Sequence, residues 1–330
     1  GSRFWFTVEQ QIADDTPIGD YEKRLKESRR GREEDQLICA PGARVLLVDD
    51  NEMNLKVAAG LLKLNGIKPN LAFSGAEAIE RMKETPYDLV FLDHMMPEMD
   101  GMETLKILKE NDLIPKGCAV IALTANAVVG ARDLYLNAGF SDYLSKPIDV
   151  ERLEDKLIKF LPAEMIEMRS ADTGDDGGDD DIEILEFAPG EGLDQAEEPS
   201  EEGYDIDTII SRAMHSSLDV SAGIEYCGGD RGLYAELLSD YAGEYEDRRT
   251  KLGEYLKSAN VKKYQILVHS LKSTSLTIGA EEMYADAKRM EEAAAAGDIP
   301  YMDAHHDELM SRYAAQVLEV SEIVGANSTQ

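Results

Sequence analysis

Between residues 43 and 161, five short apolar runs alternate with helical periods, and no other part of the 330-residue chain repeats that alternation. The runs are Arg44–Val48, Lys68–Phe73, Leu89–Leu92, Ala119–Leu123 and Asp142–Ser145. Between and after them, apolar residues recur at helical spacing: Leu55, Ala58, Ala59 and Leu62, then Ala76–Lys83, and finally Val150 to about Phe160. Strand and helix in strict turn predict a doubly wound α/β domain with a five-stranded parallel sheet. In such a sheet, ligand chemistry gathers outside the carboxyl ends of the strands.

Those ends carry a particular set of residues. Asp49 and Asp50 follow the first run, Asp93 closes the third, Thr124 follows the fourth and Lys146 the fifth. Three carboxylates brought together repel one another unless a divalent cation neutralises them, and hard oxygen donors with room for water and phosphate suit Mg2+. A carboxylate beside such an ion can act as a nucleophile toward a phosphoryl group. Lys146 would pair with one phosphoryl oxygen, and the Thr124 hydroxyl would hydrogen-bond another. Singly, each has a plainer explanation: an Asp after a strand is often a helix N-cap, and a lone Lys is usually surface. Five such residues at four strand ends of one sheet argue for a site. His94 is expected to point away from its neighbour Asp93 and line the rim.

After residue 205 the pattern is helical only. A short helix is expected around Ile206–Met214, then one long helix capped by Asp230 and carrying Leu233, Leu237, Tyr241, Tyr245, Leu252 and Leu256. Val261–Ile278, Ala280–Ala296 and Ile299–Val324 read as three more, separated by Gly279 and by Gly297 with Pro300. Four long amphipathic helices with short connections predict an all-α up-down four-helix bundle. Within it, His269, Lys272 and Ser273 stand at i, i+3 and i+4 and share one face. A solvated imidazole there is a competent nucleophile near neutral pH. Lys272 can neutralise a phosphoryl group on the ring, and the small Ser273 leaves room for a partner.

Charge separates the two blocks. The formal net charge is −32, yet residues 163–207 alone hold eighteen acidic residues and one basic residue. This acidic, Gly-rich stretch lacks the apolar content to offset its ordering entropy and reads as a flexible linker over 163–204. It lacks the closing Glu and flanking helices of a calcium loop. An r.m.s. span of roughly 35–40 Å would let the folded blocks meet. The acidic balance argues against nucleic acid and against direct contact with anionic membrane. Cys39, Cys118 and Cys227 show neither disulfide-framework nor zinc spacing, and Cys118 reads as core. With no signal peptide and no transmembrane-length run, a reducing, cytoplasmic setting is expected, whatever anchor a longer parent protein carries. His215, His305 and His306 read as solvated.

Two resemblances add to these readings. Residues 43–162 resemble a flavodoxin-like response-regulator receiver domain, through Val48-Asp49-Asp50-Asn51, the stretch Leu92–Pro97 with Asp100 and Gly101, Leu123-Thr124-Ala125, and Lys146-Pro147. The resemblance implies that Asp93 is the phosphoacceptor and that Asp49, Asp50, Asp93 and the Met95 backbone carbonyl hold Mg2+. It also implies that Thr124 and Tyr143 form the switch pair and that the Lys146–Pro147 bond is cis. Within the domain 205–326, the stretch from about Asp219 to Asp298 is similar to a histidine phosphotransfer (HPt) domain, with support from Tyr226–Asp230 and Ile278–Ala280. That similarity makes His269 the phosphoacceptor, Lys272 its support, and Glu291 the partner of the second ring nitrogen; Ser273 stands where the family often has Gly. Residues 1–19 resemble the final strand of a histidine-kinase ATP-binding domain, and 20–42 read as linker.

The implied function is phosphorelay signalling by the C-terminal part of a hybrid sensor histidine kinase. Its partners would be a kinase catalytic and dimerisation domain and a downstream receiver. With no nucleotide-binding motif, the chain would not itself be the ATP-using enzyme. The alternative is a receiver acting only as a phosphorylation-switched binding module, with the bundle as a dimerisation or docking unit.

Overall fold

The computed structural model describes residues 36–124, 131–170 and 205–325. The resemblance of residues 1–19 to a kinase strand, Ala125, and residues 171–204 of the acidic stretch lie outside them. Residues 38–167 and 205–325 belong to one compact unit.

Five strands, Val45–Val48 (β2), Asn70–Ala72 (β3), Leu89–Asp93 (β4), Ala119–Thr124 (β5) and Asp142–Ser145 (β6), form a parallel sheet in the order β3-β2-β4-β5-β6. The doubly wound sheet is the one expected. β2, β4 and β5 are buried on both faces, which is why they read as unbroken apolar runs. Alternate residues feed two cores: Val45, Leu47, Leu89, Phe91, Ile121 and Leu123 on one face, Leu46, Val48, Val90, Leu92, Val120 and Ala122 on the other. Helices Glu52–Leu64 (α1) and Val150–Phe160 (α5) cover the first face. Gly75–Glu84 (α2), Gly101–Glu110 (α3) and Ala131–Ala138 (α4) cover the second. Cys118 is only partly buried, packed against that second core.

The reading of 20–42 as linker fails at its end, where Gln36–Cys39 forms a strand (β1) with Ile38, Cys39 and Ala40 buried. Residues 163–170 are likewise ordered, as a 3-10 turn at Ala163–Met165 and the strand Glu167–Ser170 (β7), which pairs with β1.

The second block is all helical: Ile206–Ala213 (α6), Val220–Tyr226 (α7), Arg231–Gly243 (α8), Tyr245–Lys257 (α9), Val261–Thr277 (α10), Glu281–Ala296 (α11) and Ile299–Val324 (α12). The single long helix expected after Asp230 is two. They meet at Glu244, which keeps nearly helical angles (φ −75, ψ −10), so the apolar spacing runs through the break. Helix α7 was not legible; seven residues with Gly223 inside give too little period. Tyr234, Tyr241, Tyr264 and Tyr313 fill the bundle core. That core is continuous with the apolar cluster on the α1 and α5 face of the sheet.

Candidate functional site

At the carboxyl edge of the sheet, ligand oxygens of Asp49, Asp50 and Asp93 lie within 4.8 Å of one another. The N-cap explanation fails for the first two, because Asn51 caps α1 by accepting from the Asn54 amide (3.1 Å). Asp49 is instead held by the start of α1, accepting from Asn51 N (3.0 Å) and Asn54 Nδ2 (3.1 Å). Gly101 lets α3 approach: a Cβ there would stand 2.2 Å from the Asp93 carbonyl oxygen. Lys146 reaches in from the end of β6, where its amide donates to Thr124 O (2.7 Å) and the Lys146–Pro147 bond is cis. Its ammonium pairs with Asp93 (2.7 Å) and, more closely, with Asp49.

Electrostatics follow from that count. Three carboxylates face one ammonium in a buried pocket, leaving two negative charges over. Burial, and then Asp49, pushes Asp50 up to about 7 against the pull of Lys146. Burial outweighs Lys146 at Asp93 as well, which is pushed up to about 7. Lys146 is held above the usual lysine range by Asp49 and Asp93, although burial alone would lower it. An excess of two negative charges on hard oxygen donors fits a divalent cation of the Mg2+ class.

Thr124 is buried at the same edge and accepts from the Tyr135 hydroxyl (2.9 Å). Tyr135 stacks on Tyr143 at 6.0 Å and meets His94 edge-on at 5.5 Å. The sequence reading missed Tyr135 because one aromatic residue in a short helix carries no signal of its own. His94 is half-buried, with Nδ1 lacking a hydrogen-bond partner among the described residues. Met95 is half-buried beside them.

On α10 the histidine departs from expectation. His269 is 6% exposed, not solvated. Its Nδ1 pairs with Glu291, which also takes the Lys272 ammonium, so Lys272 is engaged rather than free. Glu291 is held below the usual carboxylate range by His269 and Lys272, against the upward push of burial. His269 Nε2 is buried with no hydrogen-bond partner among the described residues. Ser273 is buried too. Elsewhere, His215 is exposed as expected, but His306 is half-buried against the Tyr264 hydroxyl (3.0 Å) and His305 stacks on Tyr301 at 3.9 Å.

What covers His269 is the sheet domain. Asn51 Nδ2, at the mouth of the carboxylate pocket, donates to the Oγ of Ser270 (2.8 Å), the residue after His269. Buried Arg248 donates to Thr274 Oγ1 (3.0 Å) and weakly to Ser270 Oγ (3.4 Å), and its charge reaches Asp50. Further out, Lys56 of α1 pairs with Glu236 (2.7 Å) and Asp240 (2.8 Å) of α8. Gly228 (φ +66) admits the α1 leucines so closely that a Cβ there would meet Leu64 at 2.7 Å and Leu61 at 2.9 Å. A crevice of about 550 Å3 remains beside the junction, lined in part by Asp50, Asn51, Arg248 and Ser270.

Comparison with known proteins places these features. Residues 45–158 match the response regulator receiver domain family, and residues 236–319 match the Hpt domain family. The chain is 40% identical over 127 residues to the signal transduction histidine-protein kinase BarA of Escherichia coli, covering 38% of this chain and 14% of that protein. It is 40% identical over 124 residues to the aerobic respiration control sensor protein ArcB of the same organism, covering 36% of this chain and 15% of that protein. It therefore spans a small part of the length of these relatives. Among solved structures, a Francisella response regulator receiver domain is 30% identical over 36% of this chain and 96% of its own, with a TM-score of 0.33. No helix among the described residues is long and apolar enough to cross a membrane.

Proposed function

Since the chain joins a response regulator receiver domain to an Hpt domain, we propose that it relays phosphoryl groups between the Asp93 carboxylate and the His269 imidazole. The observation that carries this reading is His269 Nε2, buried and without a partner among the described residues, next to the Ser270–Asn51 hydrogen bond at the receiver edge that holds Asp93.

In the first step an Asp93 oxygen attacks the phosphorus of a phosphohistidine on a histidine kinase, and the P–N bond breaks. Lys146 neutralises a phosphoryl oxygen, and Thr124, turning from Tyr135, donates to another. Mg2+ held by Asp49, Asp50, Asp93 and the Met95 carbonyl would supply further charge neutralisation. In the second step the Nε2 lone pair attacks phosphorus, the bond to the Asp93 oxygen breaks, and the carboxylate leaves. Glu291 accepts a hydrogen bond from Nδ1–H, which in the neutral ring leaves the Nε2 lone pair free to attack, and it stabilises the positive ring of the product. A downstream receiver would then take the phosphoryl group. When Thr124 turns, the Tyr135 ring is released against Tyr143, which makes Thr124 and Tyr143 the switch. We further propose that the chain works in the cytoplasm as part of a hybrid sensor kinase.

The test follows label from a phosphorylated cognate kinase. Wild type should acquire label at Asp93 and then His269, and Asp93→Asn should abolish both. Label reaching His269 at the wild-type rate in Asp93→Asn would overturn the order of transfer.

A further inference from the structure

We propose that Glu236 and Asp240 on α8 select the receivers with which this bundle exchanges phosphoryl groups, by requiring a lysine or arginine in the second turn of the partner receiver's first helix. The inference rests on the relay reading above and extends it to the recognition of the outside receiver.

A receiver that draws phosphoryl from His269 has to bring its own aspartate to Nε2. That nitrogen opens toward one side only, the side now covered by the chain's own receiver, since Nδ1 is closed off by Glu291. Any second receiver must therefore cover the same face, in place of the first. Its first helix then lies along α8 where α1 lies now.

Three kinds of contact meet it there. Leu233 packs so closely on Gly60 of α1 that a Cβ on that glycine would stand 2.8 Å from it, and Gly228 admits the leucine side chains of α1. These contacts reward shape but are indifferent to charge. Asn51 with Ser270 is a neutral hydrogen bond. Among the described residues Lys56 makes the ion pairs across this face, its ammonium bracketed by two carboxylates one helical turn apart and 3.5 Å from Glu52 of its own helix. The Lys56 side chain is 16% exposed and that of Asp240 30%, so a neutral or acidic residue in its place leaves a partly buried carboxylate without its cation. Like charges juxtaposed at an interface suppress the wrong partner more than matched charges strengthen the right one. The bundle is itself acidic, which adds to the same preference.

The experiment uses two full chains in trans. A His269→Ala chain is loaded at Asp93 with labelled acetyl phosphate and Mg2+, then mixed with an Asp93→Asn chain whose His269 accepts. Lys56→Glu in the donor should slow transfer about tenfold, scored per mole of label that each donor holds at Asp93. The milder Lys56→Gln should fall between. An E236K/D240K acceptor should be poor with the Lys56 donor and should recover with the Lys56→Glu donor to within about threefold of the original pair. Thermal midpoints of all chains serve as the folding control. Transfer from Lys56→Glu at the unaltered rate, or a charge-swapped pair no faster than the mismatched ones, would overturn the proposal. If the unaltered pair passes no label at all, the relay reading itself falls.

Discussion

Glu291 is the residue whose removal tests the Hpt site most sharply. Its carboxylate is the shared partner of the His269 Nδ1 and the Lys272 ammonium, whose side chains are 8% and 7% exposed. Glu291→Ala deletes two charge-assisted bonds, each worth about 1.5–3 kcal/mol. It also strands a buried ammonium, and breaking a buried pair from one side costs about 3–5 kcal/mol in all. With a urea slope of about 2 kcal/mol/M, a loss near 4 kcal/mol moves the midpoint of bundle unfolding down by about 2 M. Glu291→Gln keeps an acceptor for the Nδ1 proton but loses the charge, so its midpoint should lie between. The assay is urea unfolding followed by helical circular dichroism, paired with transfer of label to His269. Transfer should fall further in the Ala variant than in the Gln variant, because only Gln still fixes the tautomer that leaves Nε2 free. A Glu291→Ala midpoint within about 0.25 M of wild type, or about 0.5 kcal/mol, would refute the reasoning, since a buried ammonium cannot lose its carboxylate partner so cheaply.

Three further outcomes are expected. Gly101→Ala forces a methyl to within 2.2 Å of the Asp93 carbonyl, so it should cost about 1–3 kcal/mol of receiver stability and slow Asp93 loading; unchanged loading and midpoint would contradict that contact. Asp50→Asn removes one of two excess buried charges, so without metal it should stabilise the receiver by about 0.5–2 kcal/mol, while the stabilisation that added Mg2+ gives wild type should be largely lost; calorimetry with Mg2+ and with EDTA reads both. Asp142 is pushed up by burial but held below the usual carboxylate range by Lys159 and Lys156. Its contribution is therefore fully present above the unfolded carboxylate value of about 3.9 and is lost as pH falls through the lower folded value, so the stability gap between wild type and Asp142→Asn should be open at pH of about 6 and shrink below about 4.

The fold was legible wherever burial left a one-dimensional trace. Strands buried on both faces have to be continuous apolar runs, and β2, β4 and β5 are. β1 left such a trace too, in Leu37–Ala40, but the charged residues before it drew that stretch into the linker. The break between α8 and α9 left none, because Glu244 departs so little from helical angles that Tyr241 and Tyr245 keep their spacing across it. Gly243 beside it was the one available sign, and a single Gly inside a helical period is weak evidence of a stop.

The site was legible residue by residue, and much less so as an assembly. Asp49, Asp50, Asp93 and Lys146 declare themselves because a parallel sheet sends every strand end to one edge. The burial of His269 could not be read, because on α10 alone its face is polar and points outward. It becomes dry only when Asn51 meets Ser270 and Lys56 meets α8. That dryness has two consequences. Under the proposed relay it would keep water from a phosphoryl group passing between Asp93 and Nε2, which favours transfer over hydrolysis. It also bars both acceptors from any outside partner, as His269 is 6% exposed and Asp93 1%. Each exchange with a kinase or a second receiver thus requires the two domains to part. The polar part of the junction suits that requirement, with one neutral hydrogen bond and a lysine whose partners Glu236 and Asp240 are 54% and 30% exposed. Pairs of that kind contribute about 0.2–1 kcal/mol each, so they register the domains, and the cost of parting falls on the apolar cluster that runs from α1 into the bundle.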